Sequence, residues 1–160
     1  MRSHKLIASG LGTGYAPFAP GTAGSILGIV LFYLFNYILN GLNIEPWFIL
    51  PLNFFAIIFV LLIGAYSIRK VHQIWEHDAP QIVIDEIAGV WIAIFALPFQ
   101  WQYYLYALIL FRFFDIVKPF FIKRLDRMQG DWSVMLDDML AGVYANIALQ
   151  ILVHFNILEI

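Results

Sequence analysis

The chain has 160 residues, of which 62% are hydrophobic and only 12% are charged, and its mean hydropathy is +0.80. Soluble domains carry about 25% charged residues, so this composition predicts a membrane protein and excludes a disordered chain. The lack of cysteine excludes a disulfide-stapled scaffold, a cysteine-ligated metal site and a cysteine nucleophile. A net charge of -2 leaves no basic surplus, so no nucleic acid partner is expected.

Five apolar runs approach the roughly 20 residues that a helix needs to cross a bilayer. In chain order they cover residues 22–42, 48–68, 82–99, 101–117 and 136–158. The third and fourth runs are short and are joined by almost no loop, which predicts an antiparallel helical hairpin. We therefore expect an all-α, polytopic membrane protein with about five transmembrane helices.

Charged residues favour one side of the predicted membrane topology. Five crossings place residues 1–21, 69–81 and 118–135 on the same face, and all nine Lys and Arg residues fall on or near it. Because positively charged connections stay inside, this face is predicted to be cytoplasmic, together with the N-terminus.

Nine of the eleven acidic residues lie on that same face, although membrane anchoring requires only cations there. Ionisable groups inside a membrane segment are costly and indicate a functional site by default. Three helix ends contribute such groups at similar depth, which predicts a cytoplasm-facing pocket that holds Mg²⁺ with carboxylates, waters and substrate phosphate. The members are Asp85 and Glu86 in the third run, Arg112, Asp115 and Lys118 in the fourth, and Asp137 and Asp138 in the fifth.

A structural role is the alternative for each carboxylate taken singly. The acids of the third and fifth runs lie near helix N-termini, where carboxylates cap free N–H groups. Asp115 can pair with Arg112 or with Lys118, which share its helix face at steps of three. His154 is expected to be a packed or interfacial residue, whereas His77 beside Asp78 could ligate a metal or move a proton.

Glycines accompany both the acids and the start of the first run. Gly89 and Gly142 lie one turn after acidic residues, where small side chains let helices approach closely, with or without a site. The glycine-rich segment 10–25 (GLGTGYAPFAPGTAGS) offers backbone N–H groups and the hydroxyls of Thr22 and Ser25, which can hold an anion. It lacks the lysine of a P-loop, so the alternative is that it only shapes the start of a helix.

Four sequence blocks carry a resemblance that covers nearly the whole chain. They are PGTAGS at residues 20–25, VIDEIAG at 83–89, FRFFDIVKP at 111–119 and VMLDDMLAG at 134–142, with His77 and Asp78 between the first two. In these blocks the chain resembles the bacterial phosphatidylglycerophosphatase A family of membrane lipid phosphatases. The resemblance implies one domain over residues 1–160, located in the bacterial inner membrane. Phe121 departs from it, because such proteins often carry a second proline there.

The resemblance implies Mg²⁺-dependent hydrolysis of phosphatidylglycerophosphate to phosphatidylglycerol and phosphate in phospholipid biosynthesis. A metal is physically reasonable, because carboxylates alone would repel the substrate. We expect direct attack by water, while an aspartyl-phosphate intermediate and the choice of general base stay open. The expected catalytic residues are Asp85, Glu86, Asp115 and Asp138. The expected metal ligands are Asp78, Asp85, Glu86, Asp115, Asp137 and Asp138, and the expected phosphate-binding residues are Arg112, Lys118, Thr22 and Ser25.

The main alternative function is a small ion or solute transporter with an acidic cytoplasmic mouth. Transporters usually place their site near the midplane between repeats, whereas these acids crowd one end and the chain shows no repeat. A non-catalytic lipid-binding subunit is a third hypothesis, and a lipid-alcohol transferase ranks last because its DGxxAR array is absent. Residues 120–131 are predicted to form either an interfacial amphipathic stretch or a solvated loop.

Overall fold

The computed structural model describes residues 1–76, 79–128, 130 and 132–158, and the secondary structure of these residues is entirely helical. The elements are α1 (Arg2–Ala8), a 3₁₀ segment (Gly10–Tyr15), α2 (Pro20–Gly41), α3 (Pro46–Val71), α4 (Ile84–Ile94), α5 (Trp101–Val117), α6 (Ile122–Asp126) and α7 (Ser133–His154). The predicted all-α class is therefore confirmed for the described residues.

Three of these helices, α2, α3 and α7, are long and apolar enough to cross a membrane. The expected number of five is therefore wrong. With 11 residues α4 is roughly 16 Å long and with 17 residues α5 is roughly 25 Å long, against a hydrocarbon core of about 30 Å. The third apolar run is shorter as a helix because Val83 precedes it in a non-helical conformation and Ala96 takes a φ of 60° just before Pro98.

Helix α4 lies at the centre of the bundle and contacts α2, α3, α5 and α7. Nine of its residues are buried, so it is surrounded by protein on most of its surface. The indole Nε1 of Trp91 donates a hydrogen bond to the carbonyl of Gly28 at 2.8 Å and joins α4 to α2. The position of α4 therefore depends on almost every other helix.

Both ends of α4 are bonded to other parts of the chain. At its start, the backbone N–H of Val83 donates to the carbonyl of Ala8 at 2.9 Å. At its end, Asn146 Nδ2 from α7 donates to the carbonyls of Ala93 and Phe95 at 3.0 and 2.8 Å. A helix end inside an apolar layer needs such partners, because unpaired carbonyls are costly there.

Helices α4 and α7 approach each other most closely where two glycines meet. A Cβ atom added at Gly89 would lie 2.8 Å from the carbonyl oxygen of Asp138, and one added at Gly142 would lie 3.1 Å from the carbonyl carbon of Gly89. The predicted close approach beside the acids is therefore present. It brings the acidic first turns of α4 and α7 side by side.

Candidate active site

A cavity of about 180 Å³ opens where α4 and α7 begin and α5 ends. We call it the acidic cavity, and its lining consists of Asp85, Glu86, Asp115, Lys118, Asp126, Ser133, Val134, Asp137 and Asp138. The predicted convergence of three helix ends is thus present in the structure. Among the described residues, six carboxylates and one lysine line this cavity, so this part of its wall repels anions.

Three of the carboxylates form a group that could hold a metal ion. One oxygen from each of Asp85, Glu86 and Asp138 lies within 4.8 Å of the others, and Asp85 and Asp138 are buried. Within the described part of the chain, Oδ1 of Asp85 and Oε2 of Glu86 are buried without a hydrogen-bond partner. Buried oxygens without partners are costly, and hard divalent cations such as Mg²⁺ prefer oxygen ligands. This donor set therefore fits the expected metal.

Helix capping does not account for the position of these acids. The N-cap residues are Val83 for α4 and Trp132 for α7, and neither helix has a side-chain cap. Asp85 and Glu86 instead occupy the first turn of α4, and Asp138 lies in the second turn of α7. Their carboxylates line a shared cavity.

The two cations next to the acidic cavity are held by ion pairs. Arg112 Nη1 lies 2.7 Å from Asp115 Oδ2, as one of the structural alternatives predicted. Lys118 ends α5 in a left-handed conformation and pairs with Asp126 and with Asp137, the latter at 2.7 Å. Burial alone would lower the pKa of Lys118, but its hydrogen bonds to Asp126 and Asp137 outweigh this effect and raise it. Lys118 therefore stays protonated.

The glycine-rich segment reaches the site through its backbone. Ser25 is fully buried and its hydroxyl donates to the carbonyl of Gly21 at 2.8 Å, within α2. Neither Ser25 nor Thr22 belongs to the lining of the acidic cavity as the described residues define it. Gly21 instead contacts the carboxylate of Glu86, and a Cβ atom there would lie 3.2 Å from Arg112 Nη1. A side chain at this position would displace both.

The predicted ligand Asp78 and its neighbour His77 lie outside the described residues, so their relation to the acidic cavity stays a prediction. Conversely, the sequence did not indicate Asp126 or Ser133 as cavity residues. Asp126 follows Lys118 by eight residues. Lys118 directly follows α5 and Asp126 is the last residue of α6, so the spacing within one helix could not predict this ion pair. The one sequence feature that pointed to Asp126 was its position between the FRFFDIVKP and VMLDDMLAG blocks.

Sequence comparisons with known proteins identify the relatives of this chain. The family model described as Phosphatidylglycerophosphatase A matches residues 6–153. A Bacteroides thetaiotaomicron protein named as a candidate phosphatidylinositol-3-phosphatase is 36% identical, with 91% of each chain covered. Phosphatidylglycerophosphatase A of Haemophilus influenzae is 40% identical over 88% of this chain and 82% of its own. The Escherichia coli protein of the same name is 35% identical over 86% of this chain and 76% of its own.

No solved structure matches the chain. The family model covers most of the sequence, and all four sequence blocks that carry the resemblance lie inside the matched range. Relatives with more than a third of their residues in common extend over nearly the same length. The chain therefore belongs to the phosphatidylglycerophosphatase A family, whose named reaction is the hydrolysis of a phosphoric monoester.

Proposed function

We propose that this protein hydrolyses phosphatidylglycerophosphate to phosphatidylglycerol and inorganic phosphate in a Mg²⁺-dependent reaction. The observation that carries the proposal is the group of Asp85, Glu86 and Asp138, with two buried carboxylate oxygens that lack partners in the described structure. Relatives from Haemophilus influenzae and Escherichia coli that bear the phosphatidylglycerophosphatase A name support the choice of substrate.

Asp85, Glu86 and Asp138 would hold the metal, with Asp115 and Asp137 close enough on the cavity wall to complete its surroundings. A bound Mg²⁺ would supply the positive charge that lets an acidic cavity accept a phosphate and that stabilises the charge of the transferring phosphoryl group. Asp78 is proposed as a further ligand from the sequence alone.

Arg112 is proposed to bind a phosphate oxygen of the substrate. Its guanidinium is oriented by Asp115 and packs on Gly21, and its buried Nε has no hydrogen-bond partner in the described structure. Lys118 is fixed between Asp126 and Asp137 and would add a permanent positive charge to the cavity wall. Thr22 lies one residue after Gly21, so its hydroxyl is proposed to contribute from the edge of the site. Ser25 is proposed to act through the position of Gly21, because its buried hydroxyl donates to the carbonyl of that residue.

Direct attack by water is the proposed chemistry. The water oxygen forms a bond to phosphorus while the bond from phosphorus to the glycerol oxygen breaks, and a cavity carboxylate accepts the proton of the water. The departing glycerol oxygen takes up the proton that the carboxylate accepted and leaves as the headgroup hydroxyl of the lipid product. Asp85, Glu86, Asp115 and Asp138 are the proposed catalytic residues, any one of which can serve as the base.

We propose that the acidic cavity lies at the cytoplasmic interface of the bacterial inner membrane. Three of the residues that follow Asp115 are large, apolar and exposed: Ile116, Phe120 and Phe121 are 70%, 86% and 64% exposed. Such side chains beside basic residues favour insertion at the level of the lipid headgroups, as the interfacial alternative for residues 120–131 requires. A lipid phosphate would then meet the cavity while its acyl chains remain in the bilayer.

Phosphate release from phosphatidylglycerophosphate in mixed micelles tests the proposal. The purified protein should release phosphate with Mg²⁺, lose at least about 100-fold of this rate with excess chelator and regain it when Mg²⁺ is restored. Phosphatidylinositol 3-phosphate serves as the competing substrate, because the Bacteroides relative bears that activity in its name. Folded protein that releases no phosphate in the presence of Mg²⁺ would contradict the proposal.

Replacement of Arg112 should weaken substrate binding more than it disturbs the fold. Arg112→Ala is expected to lower kcat/KM by about 10- to 100-fold, since a hydrogen bond to a charged group contributes about 1.5–3 kcal/mol. Arg112→Lys should recover only part of this loss, because lysine lacks the planar set of donors. Arg124→Ala on exposed α6 is the matched control. An Arg112→Ala enzyme with unchanged kinetics would exclude the proposed phosphate contact.

A further inference from the structure

An apolar groove of about 330 Å³ runs between α2 and α5 on the outer surface of the bundle. We call it the α2–α5 groove, and its walls include Val30, Tyr33, Leu34, Tyr104, Leu105 and Leu108. Val30, Leu34 and Leu105 are each close to half exposed, so the groove opens toward the surroundings of the bundle. All of these wall residues are apolar or aromatic, which suits a hydrocarbon chain.

Aromatic rings close one end of the groove. Tyr33 stacks on Phe99 with ring centres 4.9 Å apart and meets the edge of Tyr104 at 5.6 Å. This end lies away from the acidic cavity, because Tyr33 follows Gly21 by twelve residues along α2. At 1.5 Å per residue, the groove between Val30 and Tyr33 lies roughly 13–18 Å from Gly21.

The opposite end of the groove leads toward the acidic cavity along the same helix faces. On α5, Leu105 and Leu108 precede Arg112 by seven and four residues, a spacing that places all three on one side of the helix. On α2, Thr22 lies eleven residues before Tyr33, again on one side. Arg112 and Gly21 are neighbours at the top of this seam, where a Cβ atom added at Gly21 would lie 3.2 Å from Arg112 Nη1 and close to Glu86. The groove and Arg112 therefore lie along the same seam between α2 and α5, while the described linings of the groove and the acidic cavity share no residue.

The distribution of charge along the seam between α2 and α5 is complementary to an amphiphile with an anionic head. The guanidinium of Arg112, with its unpartnered buried Nε, stands at one end of the seam, and the groove below it carries no charged wall residue. A ligand that matches this arrangement has an anionic head and an apolar tail.

We propose that the α2–α5 groove binds an acyl chain of the phosphomonoester lipid while its phosphate lies at Arg112 and the acidic cavity. This inference rests on the proposed function and adds the route of the substrate: the lipid enters sideways from the bilayer between α2 and α5. The residues around Tyr33 limit how far the chain extends into the groove.

A tryptophan in the groove tests the proposal by kinetics. Val30→Trp should lower kcat/KM for a long-chain phosphatidylglycerophosphate by roughly tenfold or more, because filling the groove removes the burial of several methylene groups. The deacylated headgroup phosphate should be affected less than about twofold, since it has no acyl chain to bury in the groove. Val143→Trp on α7 is the matched control, as Val143 is also partly exposed and does not line the groove. Equal losses for both substrates, or no loss for either, would overturn the proposal.

Photolabelling gives a readout that does not depend on turnover. A long-chain phosphatidylglycerophosphate with a diazirine close to the carbonyl end of one acyl chain should label residues 29–34 and 101–108 of the native protein. Unlabelled phosphatidylglycerophosphate should compete, whereas phosphatidylcholine should not. Labels spread over the whole lipid-facing surface, or competition by phosphatidylcholine, would show that bulk lipid occupies the groove and would overturn the proposal. If labelling is specific but no phosphate is released, the proposed reaction fails and the lipid site stands.

Discussion

Replacing Asp85, Asp115 or Asp138 with asparagine should abolish turnover of phosphatidylglycerophosphate while the protein still inserts and folds. Each substitution preserves the size of the side chain but removes a negative charge and one strong oxygen ligand from the acidic cavity. Because the charge held in such a site contributes several kcal/mol to transition-state stabilisation, we expect a loss of at least about 100-fold in kcat. Phosphate release from each purified variant is the measurement.

Stability provides the second readout for these variants. In protein without metal, the buried carboxylates of Asp85, Glu86 and Asp138 repel one another, so Asp85→Asn and Asp138→Asn should leave the Tm unchanged or raise it. Glu45→Gln is the control, because Glu45 precedes α3 at the opposite end of the molecule. Full activity in all three asparagine variants would falsify the proposed site, and a large fall in Tm would show a structural role instead.

Gly142→Ala should reduce both stability and activity although the new methyl group touches no substrate. The added Cβ would lie against the carbonyl group of Gly89, so α7 would have to move away from α4. Overpacking of this kind typically costs about 1–3 kcal/mol, and the shift would separate Asp138 from Asp85 and Glu86. We therefore expect a lower Tm, together with a fall in kcat of about tenfold or more, since a misplacement of about 1 Å in a catalytic site can cost about 100-fold in rate.

The matched control for this variant is Gly41→Ala. A Cβ atom at Gly41 would meet no atom within 4 Å among the described residues, and Gly41 is the last residue of α2. Alanine is the better helix former, so this substitution should be neutral or slightly stabilising. If Gly142→Ala behaves like Gly41→Ala in thermal unfolding and in phosphate release, the close approach of α4 and α7 does not position the carboxylates.

The three long helices could be predicted from hydropathy because most of their length is both apolar and helical. The length of α4 could not be predicted from hydropathy, because hydropathy counts apolar residues whatever their backbone conformation. Phe95, Ala96 and Leu97 continue the apolar run, yet the helix ends at Ile94 and Asn146 supplies the hydrogen bonds that further turns would have made. An apolar run therefore overestimates a helix whenever distant side chains can satisfy its last carbonyls.

The convergence of carboxylates could be predicted because helix ends on one side of a bundle are neighbours in space. The ion-pair and hydrogen-bond partners of individual residues could not be predicted, since spacing along the chain does not show which of several candidates is the partner. Lys118 shares no ion pair with Asp115, three residues away, but pairs with Asp137 on another helix. The hydroxyl of Ser25 likewise donates a hydrogen bond to the carbonyl of Gly21, a local bond that serine and threonine often make inside helices.

The hydrogen bonds at the two ends of α4 restrict its movement within the bundle. Because Val83 is bonded to Ala8 and the opposite end to Asn146, a shift of α4 along its axis would break these hydrogen bonds. Asp85 and Glu86 thus lie on a helix that is attached at both ends. Residues 1–8 provide one of these two attachments of α4. Their removal should therefore disturb the acidic cavity, although none of them lines it.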